Sequence, residues 1–157
     1  MAIEIERKFL LQSNTWRQAI INSTPYRQGY IATTADRTCS VRVRIAGDQG
    51  MLTIKSATLG LQRQEYEYAI PLSDAQEMLD TLAASPQIAK IRHLVPYQGH
   101  TWEIDEFQGD NAGLIVAEIE LNSPTETFAR PDWLGPEVSG EARYYNVNLA
   151  QNPYSSW

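Results

Sequence analysis

Residues 1–11, MAIEIERKFLL, alternate charge with hydrocarbon: Glu4, Glu6 and Lys8 share one parity, and Ile3, Ile5, Arg7 and Phe9 the other. In an extended chain, side chains two apart lie on the same face. As a strand, this stretch carries two carboxylates and an ammonium on one side and a mostly apolar surface on the other. Taken alone it reads as a strand with one wetted face. The later strands decide whether that reading holds.

Length and composition set the frame. At 157 residues the chain reads as a single domain over 1–157, long enough to bury a core. It is 43% hydrophobic and 20% charged, as expected for a globular protein. No apolar run approaches the roughly 18 residues of a membrane span. Charges begin at Glu4 with no signal-peptide pattern, so a cytoplasmic location is expected. Cys39 is the only cysteine, which rules out an intramolecular disulfide and argues against a thiolate zinc site. A net charge of -6 argues against general affinity for nucleic acid or anionic membranes.

Period-two patterning dominates the chain. It predicts strands over Ile3–Leu10, Tyr26–Thr33, Thr38–Ile45, Met51–Ser56, Arg63–Ile70, Ala89–Val95, His100–Phe107 and Leu114–Leu121. Short turns join them: TTAD before Arg37, AGDQG at 46–50, ATLG at 57–60 and PYQG at 96–99. These strands fit a mainly β, closed eight-stranded antiparallel barrel with a few peripheral helices. One helix is expected over Ser73–Ala84, capped by Ser73, with Gln76 at the capping-box position and Met78, Leu79 and Leu82 inward. Another is expected over Asn14–Asn22, with Trp16, Ala19 and Ile20 inward. A third is expected to begin at Ser139 and to pack Tyr144, Val147 and Leu149.

Charge then segregates by parity. Arg42 and Arg44 alternate with valines, Lys55 follows Ile54, and Lys90 and Arg92 flank Ile91. Glu65 and Glu67, Glu103 and Asp105, and Glu118 and Glu120 are acidic pairs of the same kind. Like charges two residues apart on one face sit about 7 Å from each other and repel, so they call for a partner outside the chain. Carboxylates such as Glu4, Glu6, Glu118 and Glu120 suit a hard divalent cation, Mg2+ or Mn2+. The basic set, Lys8, Arg42, Arg44, Lys55, Lys90 and Arg92, suits a polyanion with several phosphates. Turned inward, the charged faces make a tunnel, and Ile3, Ile5 and Phe9 become packing surface beneath helices.

Glu4-x-Glu6-x-Lys8, followed in order by Arg42-x-Arg44 and Lys55, resembles the CYTH superfamily, also called triphosphate tunnel metalloenzymes. The similarity continues through GLQRQEYEY, KIR, WEIDEF, VAEIEL and RYYN, and RQGYI resembles the small bacterial members that hydrolyse inorganic triphosphate. The resemblance implies Glu4, Glu6, Glu118 and Glu120 as metal ligands with Asp105 nearby. It also implies Lys8, Arg42, Arg44, Lys55, Lys90, Arg92 and Arg143 as phosphate contacts. The chain departs from that pattern at Ala142 and Tyr145, where relatives often carry basic residues.

The expected reaction is divalent-metal-dependent hydrolysis of inorganic triphosphate to diphosphate and phosphate, by a monomer or homodimer with a small-molecule triphosphate as its partner. Glu65, Glu67, Glu103 and Asp105 have the parity to orient water, and Tyr30 is placed to bond Lys8 across the tunnel. Arg63 is expected at the outside or mouth, His93 in packing and His100 exposed, with Trp133, Tyr154 and Trp157 packing the chain end. The alternatives are an adenylate cyclase, a hydrolase of an organic triphosphate such as thiamine triphosphate, and a non-catalytic polyphosphate or nucleotide binder.

Overall fold

Alternating strands joined by short turns close on themselves in the computed structural model, which describes residues 2–31, 38–56 and 61–157. The turns TTAD and ATLG and the expected strand end at Thr33 lie outside the described residues. Among the described residues nine strands form one sheet: β1 (Ala2–Leu11), β2 (Asn22–Ile31), β3 (Cys39–Ala46), β4 (Gln49–Ser56), β5 (Gln62–Ile70), β6 (Ile88–Tyr97), β7 (His100–Phe107), β8 (Ile115–Glu120) and β9 (Leu134–Glu137). Their order is β5-β4-β3-β2-β6-β7-β8-β1-β9, all antiparallel, and a further β5–β1 pairing closes the first eight into a barrel.

Strand β1 makes the closure by dividing its length. Ala2–Ile5 pair with β5, Glu6–Leu10 pair with β8 on the other edge, and β9 takes up Phe9 and Leu11 where β5 has ended. β9 carries no period-two signal because Gly135 and Pro136 interrupt it. Pro lacks an N–H to donate and is confined to sheet edges and bulges.

One apolar cluster lies on the outer surface of this barrel. Ile5 and Phe9 pack with Trp16, Val95, Trp102, Ile104, Ile119 and Trp133. What covers β1 is therefore not a helix but an aromatic cluster, with Phe9 edge-on to Trp102 at 5.6 Å and to Phe128 at 6.0 Å. Ile3, at the rim, stays 48% exposed. A second cluster has the inward parity, with Ile88 opposite Gln28 and Phe107 opposite Lys90, and joins Tyr30, Ile88, Phe107 and Val116 to Tyr144 and Leu149 inside the barrel.

Helix α1 (Leu72–Thr81) covers β3 and β4, with Ala75 and Leu79 against Val43. It starts after Pro71, with no side-chain cap, so neither Ser73 nor Gln76 acts as expected. Its inward stripe runs through Ala75 and Leu79, and Leu82 is 60% exposed. The approach is close: a Cβ at Gly50 would meet Ala75 Cβ at 3.0 Å, and one at Gly29 would meet Ala83 Cβ at 2.9 Å. Only glycine leaves room for the helix there.

The expected helix over 14–22 shrinks to a 3-10 turn, Thr15–Ala19, that buries Trp16 and leaves Ala19 exposed. β6 recruits Asn22, Ser23 and Thr24 into β2 instead. Ser139 caps no helix; it accepts the Lys8 backbone N–H at 2.9 Å, and α2 (Asn146–Gln151) follows with Leu149 and Ala150 buried. No helix among the described residues is long and apolar enough to cross a membrane.

Candidate functional site

The charged inward faces of the barrel converge on a cavity of about 520 Å³. Arg42 and Arg44 reach it from β3, Lys55 from β4 and Arg92 from β6; Glu4 and Glu6, Glu65 and Glu67, Glu103, and Glu118 and Glu120 reach it from β1, β5, β7 and β8. A smaller chamber of about 30 Å³ continues from it, sharing Glu6, Arg42, Lys55 and Asn146 and adding Lys8, Tyr30, Thr53, Arg63 and Tyr145. Strand register sets the pairing, since Glu6 stands opposite Glu120 and Lys8 opposite Glu118.

The charges neutralise one another only in part. Lys55 Nζ lies 2.7 Å from Glu4 Oε2, and Lys8 Nζ lies 3.4 Å from Glu118 Oε1. Arg42 Nε is buried without an acceptor. That is an unmet polar demand of the kind a ligand satisfies. Burial raises the Glu120 carboxyl above the usual range, and the charges of Glu4, Glu6 and Glu65 add to that rise. Such crowding of hard oxygen donors fits a divalent cation held by Glu4, Glu6, Glu120 and Glu118. Among the described residues no three acidic, histidine or cysteine groups converge on a cation as they stand, in keeping with Glu4 and Glu118 being engaged by lysine and arginine.

On the basic side, burial and then Arg42 and Arg92 bring the Arg44 guanidinium down to about 10. Lys8 is raised, because the charges of Glu118 and Glu6 outweigh its burial. Arg44 Nε donates to Gln28 Oε1 at 2.8 Å, and Arg42 Nη2 donates to Thr53 Oγ1 at 3.3 Å. Among the described residues no carboxylate is within ion-pair distance of either arginine. Their charge remains available to an anion.

Several expected roles are placed differently. Asp105, expected beside the metal and at the chemistry, is wholly buried and accepts from Arg92 Nε at 2.8 Å, Arg92 Nη2 at 2.9 Å and Lys90 Nζ at 2.6 Å. With its oxygens taken, it serves as the internal counter-ion of β6. Lys90 is likewise wholly buried, does not line the cavity, and also donates to Asn146 Oδ1 at 3.1 Å. Tyr30 makes no bond to Lys8; its hydroxyl accepts from Gln28 Nε2 at 3.4 Å, and its ring joins the apolar cluster under α2.

Arg143 is exposed outside the barrel, stacked on Trp157 at 4.4 Å and Tyr144 at 5.1 Å. Arg63, expected outside or at the mouth, lines the smaller chamber with its guanidinium 4.2 Å from the Tyr145 ring. His93 packs on Trp16 outside the barrel, between Ser23 and Glu106. His100 is half-buried against Glu126 rather than exposed.

The sequence reading missed Tyr26, Gln28, Thr53 and Asn146. For the first three the signal was parity: once β3 and β6 turn their cations inward, β2 between them has to turn Tyr26 and Gln28 inward, and β4 Thr53 along with Lys55. Asn146, on α2, has no such signal.

Comparison with known proteins agrees with this geometry. Residues 2–154 match the CYTH domain. An inorganic triphosphatase of Acetivibrio thermocellus is 45% identical over 157 residues, spanning 100% of this chain and 99% of the relative. One of Nitrosomonas europaea is 36% identical over 151 residues, spanning 94% and 96%. A crystal structure of an inorganic triphosphatase superposes with a TM-score of 0.69 at 31% identity, covering 96% of this chain and 95% of that one.

Proposed function

This chain belongs to the CYTH family, and on that premise we propose that it hydrolyses inorganic triphosphate to diphosphate and phosphate with a divalent cation, Mg2+ or Mn2+. The observation that carries the reading is the two-sided cavity, with Arg42 and Arg44, which have no carboxylate partner among the described residues, on one wall facing crowded carboxylates on the other. A linear polyanion that brings its own metal satisfies both walls. A nucleic acid duplex does not fit a closed barrel of this bore.

In this reading Arg42, Arg44, Arg92 and Lys55 grip phosphate oxygens, and Lys8 and Arg63 hold the end of the chain in the smaller chamber. Arginine forks fix orientation, and the cations offset charge on the diphosphate as it departs. Glu4, Glu6, Glu118 and Glu120 hold the cation, which when bound supplies charge neutralisation at the reacting phosphate and makes water a better nucleophile. Glu65 and Glu67, on β5, face the same cavity and orient the water. Lys90 and Asp105 support Arg92 from behind. This work is positioning and electrostatics, which phosphoryl transfer chiefly requires.

A substrate panel tests the proposal. Triphosphate, ATP and thiamine triphosphate are each supplied with Mg2+ and with Mn2+, and phosphate, diphosphate and cyclic AMP are measured. Phosphate and diphosphate from triphosphate are expected in equal amounts. Cyclic AMP without phosphate release overturns the hydrolase reading in favour of a cyclase, and tight triphosphate binding without turnover makes the barrel a binding module. Glu120→Gln is expected to keep triphosphate binding and lose metal-dependent turnover; undiminished turnover would remove Glu120 from the cation site.

A further inference from the structure

Strand β2 runs between the two most cationic strands, β3 and β6, yet its inward residues, Thr24, Tyr26, Gln28 and Tyr30, are all uncharged. Four cations flank it: Arg42 and Arg44 on one side, Lys90 and Arg92 on the other. Register places Tyr26 opposite Lys90 and Gln28 opposite Arg44. The Tyr26 ring lines the large cavity, and three cations converge on it: Arg44 at 4.7 Å, Arg92 at 5.0 Å and Lys90 at 5.8 Å from its centre.

An aromatic face attracts a cation through its quadrupole and carries no net charge. A carboxylate at this position would also hold the arginines, but it would neutralise them and repel phosphate. A ring therefore separates two like charges without neutralising Arg44: the Arg92 nitrogens are already taken by Asp105, Glu103 and Glu118, whereas Arg44 has no carboxylate partner among the described residues and is fixed only at Nε, by Gln28.

We propose that Tyr26 is a positioning residue for the substrate, its ring holding the Arg44 fork aimed at the phosphates beside the carboxylate-bound Arg92. The inference rests on the triphosphate reading and extends it to a residue outside the charged motifs.

The test is calorimetric titration of triphosphate into wild type, Tyr26→Phe and Tyr26→Leu with a chelator present, followed by steady-state kinetics with Mg2+ and thermal melts as a folding control. Losing the cation–π contact that holds Arg44 is expected to weaken binding by Tyr26→Leu about tenfold. The kinetic counterpart is KM raised about tenfold with kcat within about threefold, the pattern of lost binding rather than lost chemistry. Tyr26→Phe keeps the ring and is expected within about twofold of wild type. An unaltered affinity in Tyr26→Leu, or a Tyr26→Phe variant as impaired as Tyr26→Leu while both melt normally, overturns the inference alone. A fall in kcat at unchanged KM also overturns it. A wild-type protein that neither binds nor hydrolyses triphosphate overturns the functional reading, and the inference with it.

Discussion

At the scale of single residues, the decisive group is Asp105. Burial acts to raise its carboxyl, but the charges of Arg92 and Lys90 outweigh burial and hold it well below the usual range. Its folded value lies below its unfolded one, so the stabilisation is complete above the ordinary value of 3.8 and is lost as pH falls beneath it. Asp105→Asn leaves two buried cations short of a counter-charge, and urea unfolding is expected to show a loss of about 3–5 kcal/mol. Its acid branch is expected to be flatter than wild type; equal stability at neutral pH would return Asp105 to a role at the cation. Lys90 shifts the other way. Burial, opposed by Asp105 and reinforced by Arg92 and Arg44, brings its ammonium down to about 7. The unfolded chain thus holds a proton that the folded chain has given up between about 7 and the ordinary 10.5. Stability from this group therefore rises with pH across that window. A polyanion bound beside Arg92 favours the charged form, so triphosphate binding at pH 8 is expected to take up protons. Calorimetry in buffers of different ionisation enthalpy measures that uptake, and Lys90→Met is expected to reduce it.

At the scale of elements, the chain's ends are where expectation and structure separate. The resemblance puts Arg143 on the phosphates, whereas the 3-10 turn Ala142–Tyr144 carries it to the outside, against Trp157. Arg143→Ala is accordingly expected to leave KM for triphosphate within about twofold while costing about 0.5–1 kcal/mol of stability through the lost ring contacts. A tenfold rise in KM would bring the guanidinium back into the tunnel. The barrel strands were legible because parity is a local property: Glu4 and Glu6, Arg42 and Arg44, and Glu118 and Glu120 each declare a face within three residues. What defeated sequence reading depends on partners far along the chain. Ser23 and Thr24 became strand because β6 offered them a ladder, and β9 formed because β1 had an unpaired edge at Phe9 and Leu11. Asp105 and Glu103 look alike in WEIDEF. Only the register of β6 on β7, which sets Arg92 opposite Asp105, turns one into a buried counter-ion and leaves the other at the cavity.

At the scale of the whole molecule, the cavity is an unbalanced electrolyte. Seven glutamates line it against Arg42, Arg44, Lys55 and Arg92, so an incoming triphosphate meets net negative charge, and a cation alone meets competing lysine and arginine. Each ligand therefore removes an obstacle to the other. The contact between Lys55 and Glu4 at 2.7 Å adds a specific link. A divalent ion on Glu4 would displace the ammonium, and the displaced ammonium would then be free to take a phosphate. Binding is expected to be positively coupled, by an amount of the order of 1–3 kcal/mol. The measurement uses an imido-bridged triphosphate that resists hydrolysis, titrated with and without Mg2+, with complexation in free solution subtracted. Additive binding would sink the coupling. Lys55→Met separates its two sources. The cation alone should bind this variant more tightly, because Glu4 has no competitor, and triphosphate alone more weakly, for want of one phosphate contact. If the linkage runs through Lys55, the coupling shrinks in the variant; if it runs only through the summed charge of the cavity, the variant keeps it.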